Sequence, residues 1–325
     1  MISKEINLSA LHTNLNIENN ELFFSLVDYR NNLFMSNDPQ KIIEFYNSFE
    51  NREQLIQWMK ERPKGVCYIK EIEGDKDIIV VIPTVDINGK YAIQDKDIFK
   101  GLHIIFVESG AGNYYFNYAH NCNVGIKKAM EYNPKWIIVS NDDMYKIDNI
   151  SILKKELNKL NFNEKKFVHT YPAKYHSRYA YISNRTFRRS FILSIYKNYR
   201  KKLKIESFLK IKYVIGTSSG IKRFLYNNKI KILYSGAITI LSYGLIKNLE
   251  CKIFDENYVN GAEDIDLAIK LKLEKVKYNI IDFKIKDIVG GTLGSYGDIR
   301  TFREICNLSY LNTKIVKNNL FNFLS

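Results

Sequence analysis

The stretch WIIVSNDDM, residues 136–144, joins an apolar run to an acidic one. Its first half is a short, mostly apolar, β-favouring run, which reads as a strand covered on both faces. It then ends abruptly on Asn141, Asp142 and Asp143. Two adjacent carboxylates at a buried strand end repel each other, and the arrangement becomes tolerable when a cation lies between them. Taken alone, the same residues also suit an ordinary acidic turn.

Working outward, DIIVVIPT (77–84) and LHIIFVES (102–109) are two further β-branched runs of strand length. NYAHNCNVGIKKAMEYNP (117–134) carries Ala119, Val124, Ile126, Ala129 and Met130 near helical spacing, with Pro134 beyond its end. Strands alternating with helices predict a parallel sheet with crossover connections. Ligands of such sheets bind beyond the carboxyl ends of the strands. Here those ends read Pro83-Thr84-Val85-Asp86, Glu108-Ser109-Gly110 and Asn141-Asp142-Asp143. One polar strand end says little; three at one rim point to a binding site.

A second acidic motif lies in KIFDENYVNGAEDIDLAIKLKLEKVKY, residues 252–278. Gly261 precedes Glu263, Asp264 and Asp266, and an apolar-periodic helix follows. Carboxylates at a helix start also act as caps favoured by the helix dipole, and Asp266 reads as such a cap.

The chain has 325 residues, 46% of them apolar, enough for a large core and inconsistent with global disorder. A net charge of +14 favours a polyanionic partner: nucleic acid, an anionic membrane face or a phosphorylated small molecule. Much of the excess falls in residues 184–212, where cations alternate with Phe187, Phe191, Ile192, Ile195, Tyr199, Leu203 and Phe208. That segment reads as a solvated helix face, as a basic amphipathic element on anionic lipid, or as a nucleic-acid contact.

Cys67, Cys122, Cys251 and Cys306 lie far apart, with no CxxC pair, so neither a zinc site nor a disulfide framework is expected, and free thiols suit a reducing cytosol. The N-terminal residues lack the apolar core of a signal peptide. Residues 232–246 are free of charge but too short to span a bilayer, and they read as a buried strand–turn–helix piece. Residues 1–65 read as a helical extension without chemistry of its own. One helix starts at Asp38-Pro39, and another covers about 52–61 and stops before Pro63.

Taken in order, VVIPT, FVES, NVGIKKA, SNDDM and FDENYVNGAEDIDLAIKL resemble the inverting glycosyltransferases of the large family 2 type, which have a GT-A fold. The resemblance covers about residues 77–150 and 232–295. It implies an α/β domain over 66–325, with a mixed, mostly parallel sheet flanked by helices and preceded by the N-terminal helical extension (1–65). Residues 77–150 would form the nucleotide- and metal-binding half, and 151–300 the acceptor-binding half.

The resemblance also assigns roles. Asp143 is implied as the principal ligand of Mn²⁺ or Mg²⁺, with Asp142 as ligand or close neighbour. Pro83, Thr84 and Asp86 would line the base pocket, and Glu108 would reach base or ribose. Asn123 and Gly125 match the family's Asn-x-Gly. Asp264 would be the base that takes the acceptor's proton, and Glu263 would orient the acceptor.

Three departures stand out: Asn141 opens the acidic triplet, Cys122 stands where an Arg often precedes the Asn, and Asp287 stands where many relatives carry a metal-binding His. Asn141 could still accept a hydrogen bond from ribose, and Asp287 could replace the His. Gly290, Gly291, Gly294 and Gly297 suggest a loop closing over the donor, with Arg300 and Arg303 as diphosphate contacts or plain surface cations. His169, Tyr171, Tyr175, His176 and Tyr179 would stack on an acceptor sugar or simply pack a strand.

The implied activity is transfer of one sugar, with inversion, from a nucleotide-sugar to a hydroxyl of a saccharide or lipid-linked saccharide. A UDP-sugar is the expected donor; acceptors near Glu108 suit a uracil edge, and the same groups could serve guanine or thymine. A cytoplasmic location follows, peripheral on the inner face of the membrane, in surface polysaccharide or glycoprotein glycan synthesis. No QxxRW-type motif is present, which argues against a processive synthase. A nucleotidyltransferase would share sheet and metal but usually carries a Gly-rich basic loop where this chain reads TVDINGKYAIQDKD. A non-catalytic GT-A relative and a basic polyanion- or nucleic-acid-binding protein are the remaining alternatives. Acidic strand ends repel phosphates in the absence of metal, so nucleic acid is not an expected partner.

Overall fold

The computed structural model describes residues 18–170, 177–183, 214–217, 229–288 and 298–320. The basic segment 184–212, the glycines at 290–297 and Tyr171, Tyr175 and His176 lie outside the described residues, as does the side chain of Tyr179.

Three helices come first: α1 (Glu18–Met35), α2 (Pro39–Asn47) and α3 (Arg52–Glu61). The Asp38 side chain caps α2 by accepting from Gln40 N–H, with Pro39 at the first helical position; Asn51 caps α3 in the same way through Gln54 N–H.

The α/β part follows. Its strands are β1 (Tyr68–Ile72), β2 (Asp75–Thr84), β3 (Leu102–Glu108), β4 (Trp136–Ser140), β5 (Met144–Lys146) and β6 (Lys166–Thr170), then β7 (Ser177–Ser183), β8 (Val214–Thr217), β9 (Lys229–Ser235), β10 (Ile238–Ser242), β11 (Lys277–Ile281) and β12 (Ile285–Asp287). Its helices are α4 (Lys90–Ile98), α5 (Tyr118–Met130), α6 (Ile150–Leu157), α7 (Tyr243–Asn248), α8 (Glu263–Leu273) and α9 (Asp298–Lys317).

The main sheet runs β1-β3-β2-β4-β10-β6-β11. Strands β2, β3, β4, β6 and β11 point one way, while β1 and β10 run against their neighbours. The sheet is therefore mixed and largely parallel, with helices on both faces.

Alternation along β2 explains the layering. Ile78, Val80 and Ile82 join the cluster under α4 and α6, while Ile79 and Val81 join the one under α5 and α7. Gly125 lets α5 approach closely: a Cβ there would lie 2.3 Å from Val81 Cγ1 and 2.8 Å from Val107 Cγ2.

A second sheet, β8-β7-β9, feeds into the first through a short turn, Ser235-Gly236-Ala237, before β10. The sequence suggested strand–turn–helix over 232–246, and the structure inserts a second strand before the helix. The Ser235-Gly236 pair marks the turn in the sequence but does not tell whether a strand or a helix comes after it.

The N-terminal helices are no detached extension. Phe34, Phe45 and Trp58 share one buried cluster with Ala180 and Ile182 of β7, Ile230 and Ile232 of β9, Ile265 of α8 and Phe302 of α9. Arg62, 1% exposed, donates to the carbonyls of Tyr114, Tyr115 and Phe116 and to Asn31 Oδ1, tying α1 and α3 to the loop between β3 and α5. Among the described residues, no helix is long and apolar enough to cross a membrane.

Candidate functional site

The carboxyl ends of β2, β3 and β4 form one rim, because these three strands are parallel neighbours. At the first end, Pro83 is buried within the sheet opposite Val107, and Asp86 is exposed, its Oδ1 accepting from Asn88 N–H at 2.8 Å. At the second, Glu108 Oε2 accepts from Ile87 N–H at 2.9 Å, so one of its oxygens holds the loop after β2.

At the third end, Asp142 and Asp143 are 7% and 8% exposed. Thr84 Oγ1 donates to Asp142 Oδ2 at 3.0 Å, joining the first strand end to the third. A hydrogen bond to a buried charge contributes about 1.5–3 kcal/mol, which offsets part of the carboxylates' repulsion.

The β5–β12 ladder then carries Asp287 to the same place. Asp287 pairs with Met144, the residue after the doublet, and Ile288 N–H donates to the Asp143 carbonyl at 2.7 Å. Asp95 of α4 approaches from beneath, fully buried, with neither carboxyl oxygen hydrogen-bonded among the described residues. Burial first, and then the negative charges of Asp142 and Asp143, push its pKa up to about 9, so it is neutral at pH 7.

The second acidic motif reaches the rim through a zipper of amide side chains. Asn117 Nδ2 donates to the carbonyls of Glu256 (2.9 Å) and Tyr258 (3.1 Å), and Asn260 Oδ1 accepts from Tyr118 N–H at 2.8 Å. Asn123 accepts from Phe254 N–H and donates to the Phe254 carbonyl and to Glu256 Oε1. The Asn-x-Gly of the sequence thus has a plain structural account here. Asn123 clamps the loop that carries the second motif, and Gly125 seats the helix on the sheet.

Backbone strain follows: Asn260 and Ala262 adopt φ of 55° and 69°, left-handed conformations that cost about 1–2 kcal/mol for a residue with a Cβ. They turn the chain sharply into α8, so that Glu263 and Asp264 open the helix.

The two acids differ. Glu263 is buried, and its Oε2 has no hydrogen-bond partner among the described residues. Burial first, then the Asp264 charge, raises its pKa, while backbone N–H groups of Glu263 and Gly261 and the Arg300 charge oppose the rise. Asp264 is half-buried; its Oδ1 accepts from Ile265 N–H at 2.7 Å, and its Oδ2 lies over Gly236. The next residue, Ala237, accepts at its carbonyl from Asn141 N–H at 2.9 Å. One turn therefore touches both acidic motifs.

Asp266 is held by Lys314 of α9 rather than serving as a free cap. Arg303 donates to the carbonyls of Phe34, Met35 and Ser36, closing the C-terminal end of α1. That commitment gives Arg303 a structural role in place of the two sequence readings, a diphosphate contact or a plain surface cation. Arg300 stays close to the site, where its charge acts on Glu263. His169 is 1% exposed between the rings of Phe167 and Tyr278, a packed strand position.

Tyr118, Gly236 and Asp95 belong to this site and were not singled out in the sequence. Nothing local marks them: a Tyr at a helix start, a Gly in an apolar stretch and an Asp in a charged helix are all commonplace. Among the described residues, no three His, Cys, Asp or Glu side chains gather into a ready cation cage. Comparison with protein-family models finds no match for this chain, and comparison with curated proteins finds none either.

Proposed function

We propose that this chain is a metal-dependent, inverting glycosyltransferase of the GT-A type, which moves a sugar from a nucleotide-sugar to a hydroxyl of a saccharide or lipid-linked saccharide. The observation that carries the reading is the meeting of the two acidic motifs across the Gly236-Ala237 turn, one at the strand end and one at the start of α8. Neither motif alone distinguishes a transferase from an acidic turn or a helix cap. Their convergence supplies what the reaction needs on opposite sides of a sugar: anchorage for a leaving diphosphate and a base for the attacking hydroxyl.

Asp142, Asp143 and Asp287 offer only carboxylate oxygens, a hard donor set that suits Mn²⁺ or Mg²⁺. Such ions are commonly held by one or two carboxylates plus substrate phosphates, so this donor set suits a cation that arrives with its nucleotide. The bound ion would stabilise the negative charge that builds on the departing diphosphate.

Transfer proceeds by attack of the acceptor oxygen on the anomeric carbon. The bond from that carbon to the diphosphate oxygen breaks, and the electron pair leaves with the diphosphate. Asp264 takes the hydroxyl proton: it is the more exposed acid of its pair, and its Oδ2 faces the Gly236 turn that joins the two motifs. Glu263, raised in pKa by burial, is suited to donate a hydrogen bond that holds the acceptor. Thr84, Asp86 and Glu108 face the nucleotide end. A UDP-sugar remains the proposed donor, and a position at the inner membrane face rests on the basic segment 184–212.

The test is thermal unfolding with and without MnCl₂ against UDP, GDP, dTDP and CMP, with Asp143→Asn alongside. A ligand at about 100 times its Kd stabilises by roughly 2.7 kcal/mol. A metal-dependent rise in Tm with one nucleotide, lost in Asp143→Asn, supports the reading. No shift with any nucleotide removes it.

A further inference from the structure

The side chain of Asn141 stands where the family resemblance would place a carboxylate, and its orientation is fixed by Tyr118. The phenol of Tyr118 donates to Asn141 Oδ1 at 2.9 Å. The main chain of Tyr118 is anchored, its N–H donating to Asn260 Oδ1 at 2.8 Å in the first turn of α5. The main chain of Asn141 is fixed as well: its N–H donates to the Ala237 carbonyl, and its carbonyl accepts from Ser140 Oγ at 2.9 Å.

With Oδ1 engaged by the phenol, the unengaged end of the amide is its Nδ2. Its Nδ2 carries two N–H donors and makes no hydrogen bond among the described residues. Burial keeps the phenol protonated, raising its pKa well above 10, with Cys122 and Glu263 adding to the rise, so it acts as donor in this pair. A carboxylate at this position could only accept hydrogen bonds, whereas this amide also presents two N–H donors on the side turned away from Tyr118.

We propose that Asn141, turned by Tyr118, is a specificity-determining donor that hydrogen-bonds an anionic oxygen of the nucleotide's diphosphate, and not a ribose hydroxyl. The inference rests on the transferase reading and deepens it. It replaces the sequence-based idea that Asn141 accepts from ribose. The diphosphate is the acceptor-rich part of a nucleotide-sugar, and the neighbouring Asp142 and Asp143 are the residues through which a bridging cation would hold it. An N–H donor beside the doublet also compensates for a missing cation: the Arg that often lies in α5 is Cys122 here, which is fully buried.

The experiment is calorimetric titration of UDP, GDP and dTDP, each with MnCl₂, into the wild type, Asn141→Asp and Tyr118→Phe. The matching nucleoside, which keeps the ribose and lacks the phosphates, is then tested by competition. Asn141→Asp is expected to weaken the diphosphate at least tenfold and to leave the nucleoside within about twofold, since hydrogen bonds to charged groups are the strong ones. Tyr118→Phe keeps the amide but frees its rotation, so a loss of about three- to tenfold is expected for the diphosphate alone. Unchanged circular dichroism guards against misfolding.

Equal losses for diphosphate and nucleoside would locate the contact on ribose and overturn the proposal. Asn141→Asp binding the diphosphate as well as the wild type would overturn it too, as would a Tyr118→Phe variant indistinguishable from wild type. In each of these cases the transferase reading survives, because the wild type still binds a metal-dependent nucleotide. If the wild type binds none of the three, both fall together.

Discussion

Asp264 Oδ2 lies 3.1 Å from the position that a Cβ on Gly236 would occupy. The contact makes the glycine part of the site, because a methyl group there must push the carboxylate that we assign as base. Gly236→Ala is therefore expected to lower the transfer rate by up to about 10-fold, since the carboxylate must give by a few tenths of an ångström and a misplacement of about 1 Å costs about 100-fold. Metal-dependent nucleotide binding should be unchanged, since the strand-end residues are not touched. Steady-state rates and nucleotide titration on the same preparation check this; a variant with full activity would remove Asp264 from the role of base.

Arg62 lies far from the acidic residues in sequence, yet it sets the loop that leaves β3. Its guanidinium serves three backbone carbonyls in residues 114–116, and Tyr114 and Tyr115 in turn reach Asp28 of α1. Burial lowers its pKa to about 10, so it remains charged at pH 7. Arg62→Met leaves buried carbonyls without donors, at a cost of about 2–3 kcal/mol. Amide hydrogen exchange should rise in residues 109–116, and nucleotide binding should weaken with it. Exchange unchanged in that loop would show that the N-terminal helices do not support the site.

The strands and their polar ends were legible because buried parallel strands write continuous apolar runs, and β2, β3 and β4 all do. The starts of α2 and α3 were legible because Asp38, Pro39 and Asn51 are local signals with local effects. Strand β10 was not, since the Ser235-Gly236 turn signal does not say whether a strand or a helix follows, and five apolar-rich residues are too few for their pattern to decide. Helix α9 was hidden behind the reading of Arg300 and Arg303 as diphosphate contacts or surface cations, although Phe302, Cys306 and Leu311 are buried along it. The two acidic motifs were visible in sequence; what joins them was not. That joint consists of Asn117, Asn123, Asn260, Tyr118 and the Gly236 turn, whose effects appear only when distant segments meet.

Gly125 tests the packing that fixes α5, and hence the whole zipper. A methyl group there would lie within 2.8 Å of side-chain carbons from both Val81 and Val107, and both strands are fully buried at those points. Overpacking of this kind costs about 1–3 kcal/mol. Gly125→Ala should lower the midpoint of chemical denaturation accordingly, and adding Val81→Ala should restore part of the loss by making room. Failure of the double variant to recover any stability would show that the helix is not seated by this contact.

His169 gives a pH signature independent of the acidic rim. Its ring is buried on β6 against Phe167 and Tyr278, and burial lowers its pKa from 6.5 to about 3. An unfolded chain takes up this proton below pH 6.5, whereas the folded chain refuses it until about pH 3. The contribution to stability is therefore complete above pH 6.5 and is lost as pH falls through that window, by about 1.4 kcal/mol per pH unit. His169→Phe removes the group that titrates and keeps the ring. Wild type and variant should show parallel stability curves above pH 7 and diverge below it, with the wild type losing up to about 2 kcal/mol more by pH 5. Taking the difference between the two curves cancels the carboxylates common to both proteins, so parallel curves down to pH 5 would show that His169 accepts its proton in the folded state.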